Sequence, residues 1–179
     1  MPAPLCVAGG GINEISTITS TVDQTATAEA AHAILTILAN SVSVGTTWKF
    51  YLWGNCDNGT TAITFSPRVR WGGTGGVELF VEPFTASTTA NTNRPWGMSA
   101  HVTIRTIGAT GTAVADMVYV ERSSSATGLE TGHLENSTAT AVTIDTTANK
   151  DLVVSWALSA TTGTPHIRTI GGYAMLIKA

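Results

Sequence analysis

The sequence predicts an all-β protein, a jelly-roll β-sandwich of about nine or ten antiparallel strands with an extended N-terminal arm. Apolar and polar residues alternate along most of the 179 residues. Turn-forming glycine, asparagine and proline interrupt the alternation at spacings of roughly 8 to 15 residues, and helical periodicity is almost absent. Two long hairpins with long loops at their ends favour a jelly roll over an immunoglobulin-like sandwich, whose cysteine spacing is also missing.

The first 30 residues differ from the rest of the chain. They contain two prolines and the run Gly9-Gly10-Gly11, which is typical of an extended segment. We expect residues 1–30 to form an arm that reaches a neighbouring molecule, with residues 31–179 as the jelly-roll domain. A frayed terminus without a role is the alternative.

Residues 24–39 allow two interpretations. Alanine richness favours a helix, but no glycine caps it, and the segment from Ala33 to Leu38 is short, apolar and rich in β-branched side chains. We therefore expect a strand near residues 32–38, with a helical turn before it as the alternative.

The central hairpin is predicted over residues 45–71, with its turn at Asn58-Gly59. Successive side chains of a strand point to opposite faces. One face of the first strand carries Trp48, Phe50, Leu52, Gly54 and Cys56, and the other carries Lys49, Tyr51, Trp53 and Asn55. A strand with large aromatic residues on both faces needs cover on both sides, from a second sheet and from a partner.

The remaining strands follow from the same alternation. They are predicted over residues 77–84, 96–107, 112–122, 139–146, around 152–158, and 169–178. Residues 85–94 and 123–131 are expected to form polar loops. The glycine run at residues 72–76 is predicted to be a hairpin loop, because it lacks the lysine and the following helix of a phosphate-binding loop.

The charge content narrows the function classes. Only 12% of residues are charged, the formal net charge is -3, and no block of basic residues occurs, which argues against nucleic-acid binding. No apolar run is long enough to span a membrane, and the start does not resemble a secretory signal, so we expect folding in a cytoplasm. Few charges, a threonine-rich surface and a mean hydropathy of +0.19 suit an assembly component.

Cys6 and Cys56 are expected to be reduced, with Cys56 in the core.

Catalytic and metal-binding signals are weak. The four histidines are scattered, and a lone histidine on a strand is usually a packed or surface residue. His133 and Glu135 would share one face but supply only two of the ligands that zinc needs. Glu78 and Glu82 share a face as a paired acid/base site would, but no cleft is assigned to them. We predict a non-enzymatic protein with no catalytic residues, no cofactor and no metal.

Five residues are candidates for an interface: Tyr51, Trp53, Arg68, Arg70 and Trp96. Strand phase assigns Trp48, Trp71 and Trp156 to the core, which leaves Trp53 and Trp96 for a partner or ligand. Arg68 and Arg70, with Arg105, would form a basic stripe on one sheet face. The alternative for these arginines is simple ion pairing in solvent.

A resemblance to a known family indicates a function. The order HAILTILANSVSVGTTWKFYLWGNCDNG, ITFSPRVRWGG, HVTIRTIGATGT and VTIDTTANKDLVVSWALS, followed by a closing apolar strand, resembles jelly-roll proteins of tailed-bacteriophage particles. These are decoration or cement proteins of the head, head fibres and related spikes. The resemblance covers roughly residues 30–179 and implies a fold similar to tumour-necrosis-factor-type jelly rolls, which commonly assemble as trimers.

The leading hypothesis is therefore a virion protein, made in the host bacterial cytoplasm. It would be a homotrimeric decoration or cement protein that binds the major capsid protein on the outside of the head and stabilises it. The alternative is a tail fibre or spike domain that recognises a host saccharide through its end loops and Trp96. A carbohydrate-active enzyme using Glu78 or Glu82 is a third hypothesis.

Overall fold

The computed structural model describes residues 15–18, 21–57, 63–81, 84–85, 93–122, 129–130, 134–135 and 140–178. Within these ranges the secondary structure is entirely β, in fourteen strands. The strands are β1 (Ile15–Ile18), β2 (Val22–Gln24), β3 (Ala30–Ile37), β4 (Thr47–Asp57), β5 (Thr64–Trp71), β6 (Val77–Val81), β7 (Phe84–Thr85), β8 (Arg94–Thr106), β9 (Gly111–Arg122), β10 (Leu129–Glu130), β11 (Leu134–Glu135), β12 (Val142–Ile144), β13 (Lys150–Leu158) and β14 (His166–Lys178).

The strands form two antiparallel sheets with jelly-roll connectivity. The larger sheet runs β1-β14-β4-β8-β9-β10, with β2 also on β14 and with β11 and β12 also on β9. The smaller sheet runs β3-β13-β5-β6, with β7 on β5. Numbering β2, β3, β4, β5, β6, β8, β13 and β14 from one to eight gives sheet orders 1-8-3-6 and 2-7-4-5, the two interlocked Greek keys of a jelly roll. β9 widens the larger sheet beyond this plan.

The core lies between the two sheets and follows the predicted strand phase. β5 alternates strictly between half-buried and buried residues, and β4 buries alternate side chains along most of its length. Trp48, Trp71 and Trp156 are all in the core, as predicted. Cys56 is buried in the core, also as predicted. Burying one face of each sheet against the other supplies most of the apolar burial that stabilises a sandwich.

A β-bulge in β3 turns a histidine into the core. Val154 and Ser155 on β13 pair with Ala33 and Ala31, so His32 has no partner residue on β13. A bulge places two neighbouring residues on one side of the strand. His32 and Ala33 are accordingly both buried.

The structure confirms the strand predictions at most positions. Residues 30–37 are a strand and not a helix, and the predicted hairpin of β8 and β9 is present. The predicted central hairpin is wrong, because β4 pairs with β14 and β8 in the larger sheet, whereas β5 pairs with β13, β6 and β7 in the smaller sheet. Alternation places side chains on the two faces of a strand but does not determine which strands pair. The predicted strand over residues 77–84 is two short strands, β6 and β7, and the turn at Asn58-Gly59 lies outside the described residues. The domain boundary at residue 30 stays a prediction, although β1 and β2 lie before it and pair with β14. No helix long and apolar enough to cross a membrane occurs among the described residues.

Candidate functional site

An exposed aromatic cluster lies on the outer face of the larger sheet. Tyr51 and Trp53 on β4 are 39% and 41% exposed. The Tyr51 ring stacks on Tyr173 of β14, with centroids 5.5 Å apart, and lies 5.8 Å from the Trp53 ring. We call Tyr51, Trp53 and Tyr173 the aromatic cluster. Two of its members were predicted interface residues, and the structure brings them together.

Two glycines on the flanking strands set the position of the Trp53 indole. Gly171 and Gly97 are the register partners of Trp53 on β14 and β8. A Cβ built on Gly171 would lie 2.8 Å from Trp53 Cζ2, so the indole lies directly against the bare backbone of β14. A Cβ on Gly97 would be 3.7 Å from the Tyr51 hydroxyl oxygen, which is ordinary contact. The cluster therefore leans towards β14 and leaves the surface above Gly97 open.

The open surface above Gly97 is a shallow groove of about 120 Å³. Its lining residues come from three neighbouring strands: Tyr51, Gly97, Met98, Ser99, Val118 and Val120. Val120 is itself one of the exposed large apolar residues. The volume of the groove suits a single apolar side chain of a partner or the edge of an aromatic ring. A drug-sized ligand needs a larger pocket, of several hundred Å³.

One charged row crosses the sheet beside the aromatic cluster. Lys49, His101 and Asp116 are register neighbours on β4, β8 and β9. His101 Nδ1 lies 2.7 Å from Asp116 Oδ1. The row carries both signs of charge, so this face has no strong field of one sign.

The predicted stripe of three arginines does not form. Arg68 and Arg70 lie on β5 of the smaller sheet, whereas Arg105 lies on β8 of the larger sheet. Strand phase predicts on which face of its own strand each arginine lies, but it does not predict which sheet each strand joins.

Arg68 and Arg70 instead hold carboxylates on the smaller sheet. Glu29 accepts hydrogen bonds from Arg68 Nη1 at 2.8 Å, Arg70 Nε at 2.7 Å and the Ser155 hydroxyl at 2.5 Å. Arg70 Nη2 also donates to Glu78 at 3.0 Å. Burial alone would raise the pKa of Glu29, but these hydrogen bonds and the Arg70 charge outweigh it and hold that pKa below its ordinary value. The ion pairs fasten the segment before β3 to the sheet.

Trp96 lies in the core, contrary to the assignment that left it for a partner or ligand. It is 3% exposed, stacks on Tyr119 and meets Trp156 edge to face at 5.3 Å. Counting back by twos from Val102 on β8 places Trp96 on the inward face. A ligand cannot reach this ring without disrupting the sandwich.

Only part of the other candidate chemistry falls on described residues. Glu78 is paired with Arg70, and Glu82 and His133 lie outside the described residues. His166 Nε2 lies 2.7 Å from Asp57 Oδ2 at one end of the larger sheet. Across the described residues, no group of three or more His, Cys, Asp or Glu is arranged to hold a metal ion.

Comparison with known proteins gives little. No family model and no curated protein matches the chain. A solved structure described as "Structure of infectious bursal disease virus Gx strain" resembles it over 93% of this chain and 33% of that one, at 10% identity and a TM-score of 0.38. The chain thus spans about a third of the length of that protein. A likeness at this level carries no argument about function. The assignment of a function therefore rests on the residues of this chain.

Three residues of the surface were missed by sequence reasoning. Tyr173 was recognised as part of an alternating strand but not as a surface residue, and Val118 and Val120 were assigned only to a strand face. Their proximity to Tyr51 depends on the register of β14 and β9 against β4 and β8, which alternation does not encode. The only signal for the aromatic cluster in the sequence is that its three aromatic residues fall on the outward faces of two strands.

Proposed function

We propose that this chain is a structural protein of a bacteriophage particle, a homotrimer that binds the major capsid protein on the outer head surface and stabilises it. The observation that carries the proposal is the exposed aromatic cluster, on a chain in which only 12% of residues are charged. Clustered exposed aromatic residues are typical of protein interfaces. The resemblance of residues 30–179 to phage jelly-roll proteins supports the same assignment.

The chemistry of the described residues supports a non-enzymatic role. Glu78, the described member of the suggested carboxylate pair, has an ion-pair partner in Arg70 at 3.0 Å, and Arg70 also binds Glu29. Two of the histidines make one-to-one contacts, His101 with Asp116 and His32 with Thr169. Such contacts are typical of packed or surface histidines.

The experiment is co-sedimentation of the purified chain with phage heads assembled without it. We expect saturable binding and slower loss of DNA from the decorated heads on heating, because a ligand that binds only the assembled state stabilises it. Failure of the full-length chain to bind such heads would contradict the proposal.

The predicted docking arm needs its own variant. Deletion of residues 2–14 leaves β1 and β2 in place, because β1 begins at Ile15. We expect this variant to fold like the full chain and to lose head binding. Unchanged binding would remove the arm from the proposal but leave the role of the domain in place.

The second candidate is a tail fibre or spike domain that binds a host saccharide. The exposed Trp53 ring beside the groove at Gly97 favours it, because aromatic faces stack on pyranose rings. Trp96 has no part in this version, since it is buried. Glycan-array binding that is lost in Trp53→Ser, without binding to heads, would favour this candidate.

A further inference from the structure

One edge of the smaller sheet is open. The sheet runs β3-β13-β5-β6, so β3 lies at its edge and pairs, among the described strands, on one side only, with β13. No backbone hydrogen bond from a described turn or loop reaches residues 30–37. A strand at the edge of a sheet presents its backbone N–H and C=O groups to other chains. The edge of β3 is therefore a template to which a further strand can be added.

The other described sheet edges are less suited to a further strand. β6 has five residues and contains Glu78, β1 and β2 have four and three residues, and β9 is covered by β10, β11 and β12. Short strands, charged residues and proline protect an edge from further pairing. β3 has eight residues, AAHAILTI, with neither a charged residue nor a proline among them. Its bulge lies at His32, which leaves residues 33–37 in regular register.

The sequence before β1 contains a segment that fits this edge. Residues 5–8, LCVA, are a short apolar run between Pro4 and the three glycines at residues 9–11. Residues 1–11 contain no charged side chain, which matches the uncharged edge of β3. Residues 9–14 separate the apolar run from Ile15, where β1 begins. Six extended residues reach about 20 Å, so residues 5–8 can contact a neighbouring molecule.

The direction of the strands favours residues 5–8 of another copy. Ile15 pairs with Met175, which pairs with Lys49 near the start of β4. β3 leads into β4, so Ile15 and Ile37 lie at the same end of the sandwich. A segment that lay extended on β3 of its own chain and continued to Ile15 would therefore run parallel to β3. Every described strand pair is antiparallel, and a neighbouring copy can present residues 5–8 in that direction.

We propose that residues 5–8 of one copy add to the open edge of β3 in the next copy as an antiparallel strand. Leu5 and Val7, the larger side chains, then extend the core beside the buried Leu35, and Cys6 lies beside Ile34 on the outer surface. The added segment and the β3 edge are different surfaces, so the contact is heterologous, and three such contacts close a ring of three copies. The inference rests on the proposed homotrimer and identifies a contact between its copies.

The test is a disulfide between Cys6 of one copy and the β3 edge of the next. Facing residues of neighbouring strands have Cα atoms about 5 Å apart, which is within the range of a disulfide. Oxidation of Ile34→Cys by copper phenanthroline should therefore give covalent species of two and three chains on a non-reducing gel. Val77→Cys is the matched control, because Val77 is 43% exposed against 40% for Ile34 and lies on β6, at the opposite edge of the sheet.

Two further variants make the outcome unambiguous. Thr36→Cys, two residues along the same face of β3, covers the neighbouring register. Ile34→Cys combined with Cys6→Ser shows whether a link forms between two introduced thiols. Links between chains that need Cys6 and are absent from Val77→Cys would support the contact. No link at either β3 position, equal linking of Val77→Cys, or a disulfide within one chain would overturn it.

A pair of proline variants tests the same contact without oxidation. Val7→Pro removes a backbone N–H from the proposed strand, whereas Ala3→Pro lies before that strand. We expect Val7→Pro to weaken association by on the order of tenfold in a dilution series of solution mass, and Ala3→Pro to leave it unchanged. An equal shift in both variants, or none in Val7→Pro, would contradict the inference.

Head binding separates this inference from the proposed function. Linked trimers that never bind heads would support the contact at β3 and contradict the decoration role. Binding to heads by a chain whose Cys6 forms no link to β3 of another copy would do the reverse.

Discussion

His32 on the smaller sheet meets Thr169 on the larger sheet inside the sandwich, with Nδ1 2.6 Å from Oγ1. The bulge in β3 turns the imidazole inward, where it is 3% exposed and lies edge-on to Trp156. Nε2 is buried, and no described residue forms a hydrogen bond with it. A charged imidazole at this position would lose its hydration without gaining a counter-charge in contact.

This burial predicts a pH-dependent stability. Burial lowers the pKa of His32 from 6.5 to about 4, against a smaller opposing effect of Asp23. The unfolded chain therefore binds the proton more readily, and the free energy of unfolding should fall as pH drops from about 6.5 to about 4, by about 3 kcal/mol. Urea unfolding at a series of pH values measures the change.

The control for this prediction is His32→Gln. Glutamine can still bond to Thr169 but takes up no proton in this range. The variant should lose most of the change in stability between pH 6.5 and pH 5, where carboxylates contribute little. A wild-type profile that matches the variant over this interval would contradict the assignment to His32.

Glu29 should contribute stability at neutral pH. Its side chain is 13% exposed and accepts bonds from Arg68, Arg70 and Ser155. Because the pKa is lowered on folding, the stabilisation is present above the ordinary value of 4.5 and is lost as pH falls below it. We expect Glu29→Gln to lower the free energy of unfolding by about 2 kcal/mol at pH 7 and by much less at pH 3.

The control is Glu78→Gln on the same sheet. Glu78 also pairs with Arg70, but its side chain is 36% exposed, and such pairs contribute up to about 1 kcal/mol. If the two variants lose the same free energy of unfolding at pH 7, the burial of Glu29 does not determine how much it contributes to stability.

Gly54 should tolerate no side chain. A Cβ at this position would lie 1.8 Å from the Arg168 carbonyl oxygen on β14, a backbone atom that cannot move without disturbing the strand pairing. We expect Gly54→Ala to cost about 3 kcal/mol in chemical unfolding. Gly75→Ala is the control, because nothing lies within 4 Å of the added carbon, and its effect should be within about 0.5 kcal/mol.

Substitutions of Trp96 and of Trp53 should have different effects, the first on stability and the second on association. Trp96 packs between Tyr119 and Trp156 in the core, so Trp96→Ala should lower the free energy of unfolding by about 4 kcal/mol. Trp53→Ala, at an exposed position, should cost within about 1 kcal/mol. Denaturant unfolding of the two variants measures this difference. A stable Trp96→Ala variant with weakened association would instead show that Trp96 acts at an interface.

Much of the fold was predictable because strand phase is a local property. The alternation of β4 and β5 shows which side chains face the core, and it correctly placed Trp48 and Trp71 there. The same count, applied from Val102 back to Trp96, would have placed that ring in the core as well. Trp96 was therefore misassigned although the sequence contained the signal.

The candidate site was less predictable because it depends on pairing between distant segments. Tyr51 and Tyr173 are neighbours only because β14 pairs with β4 in one register. The separation of Arg68 from Arg105 likewise depends on which sheet each strand joins. The inward turn of His32 requires a bulge, and a bulge breaks the alternation that sequence reasoning relies on.

The most direct test of the account is the solution mass of the purified full-length chain by light scattering across a range of concentrations. We predict about three times the chain mass of 18.5 kDa, the mass of the proposed homotrimer. A mass of one chain at every concentration would contradict it, because the aromatic cluster would then remain exposed without a copy of the chain to cover it.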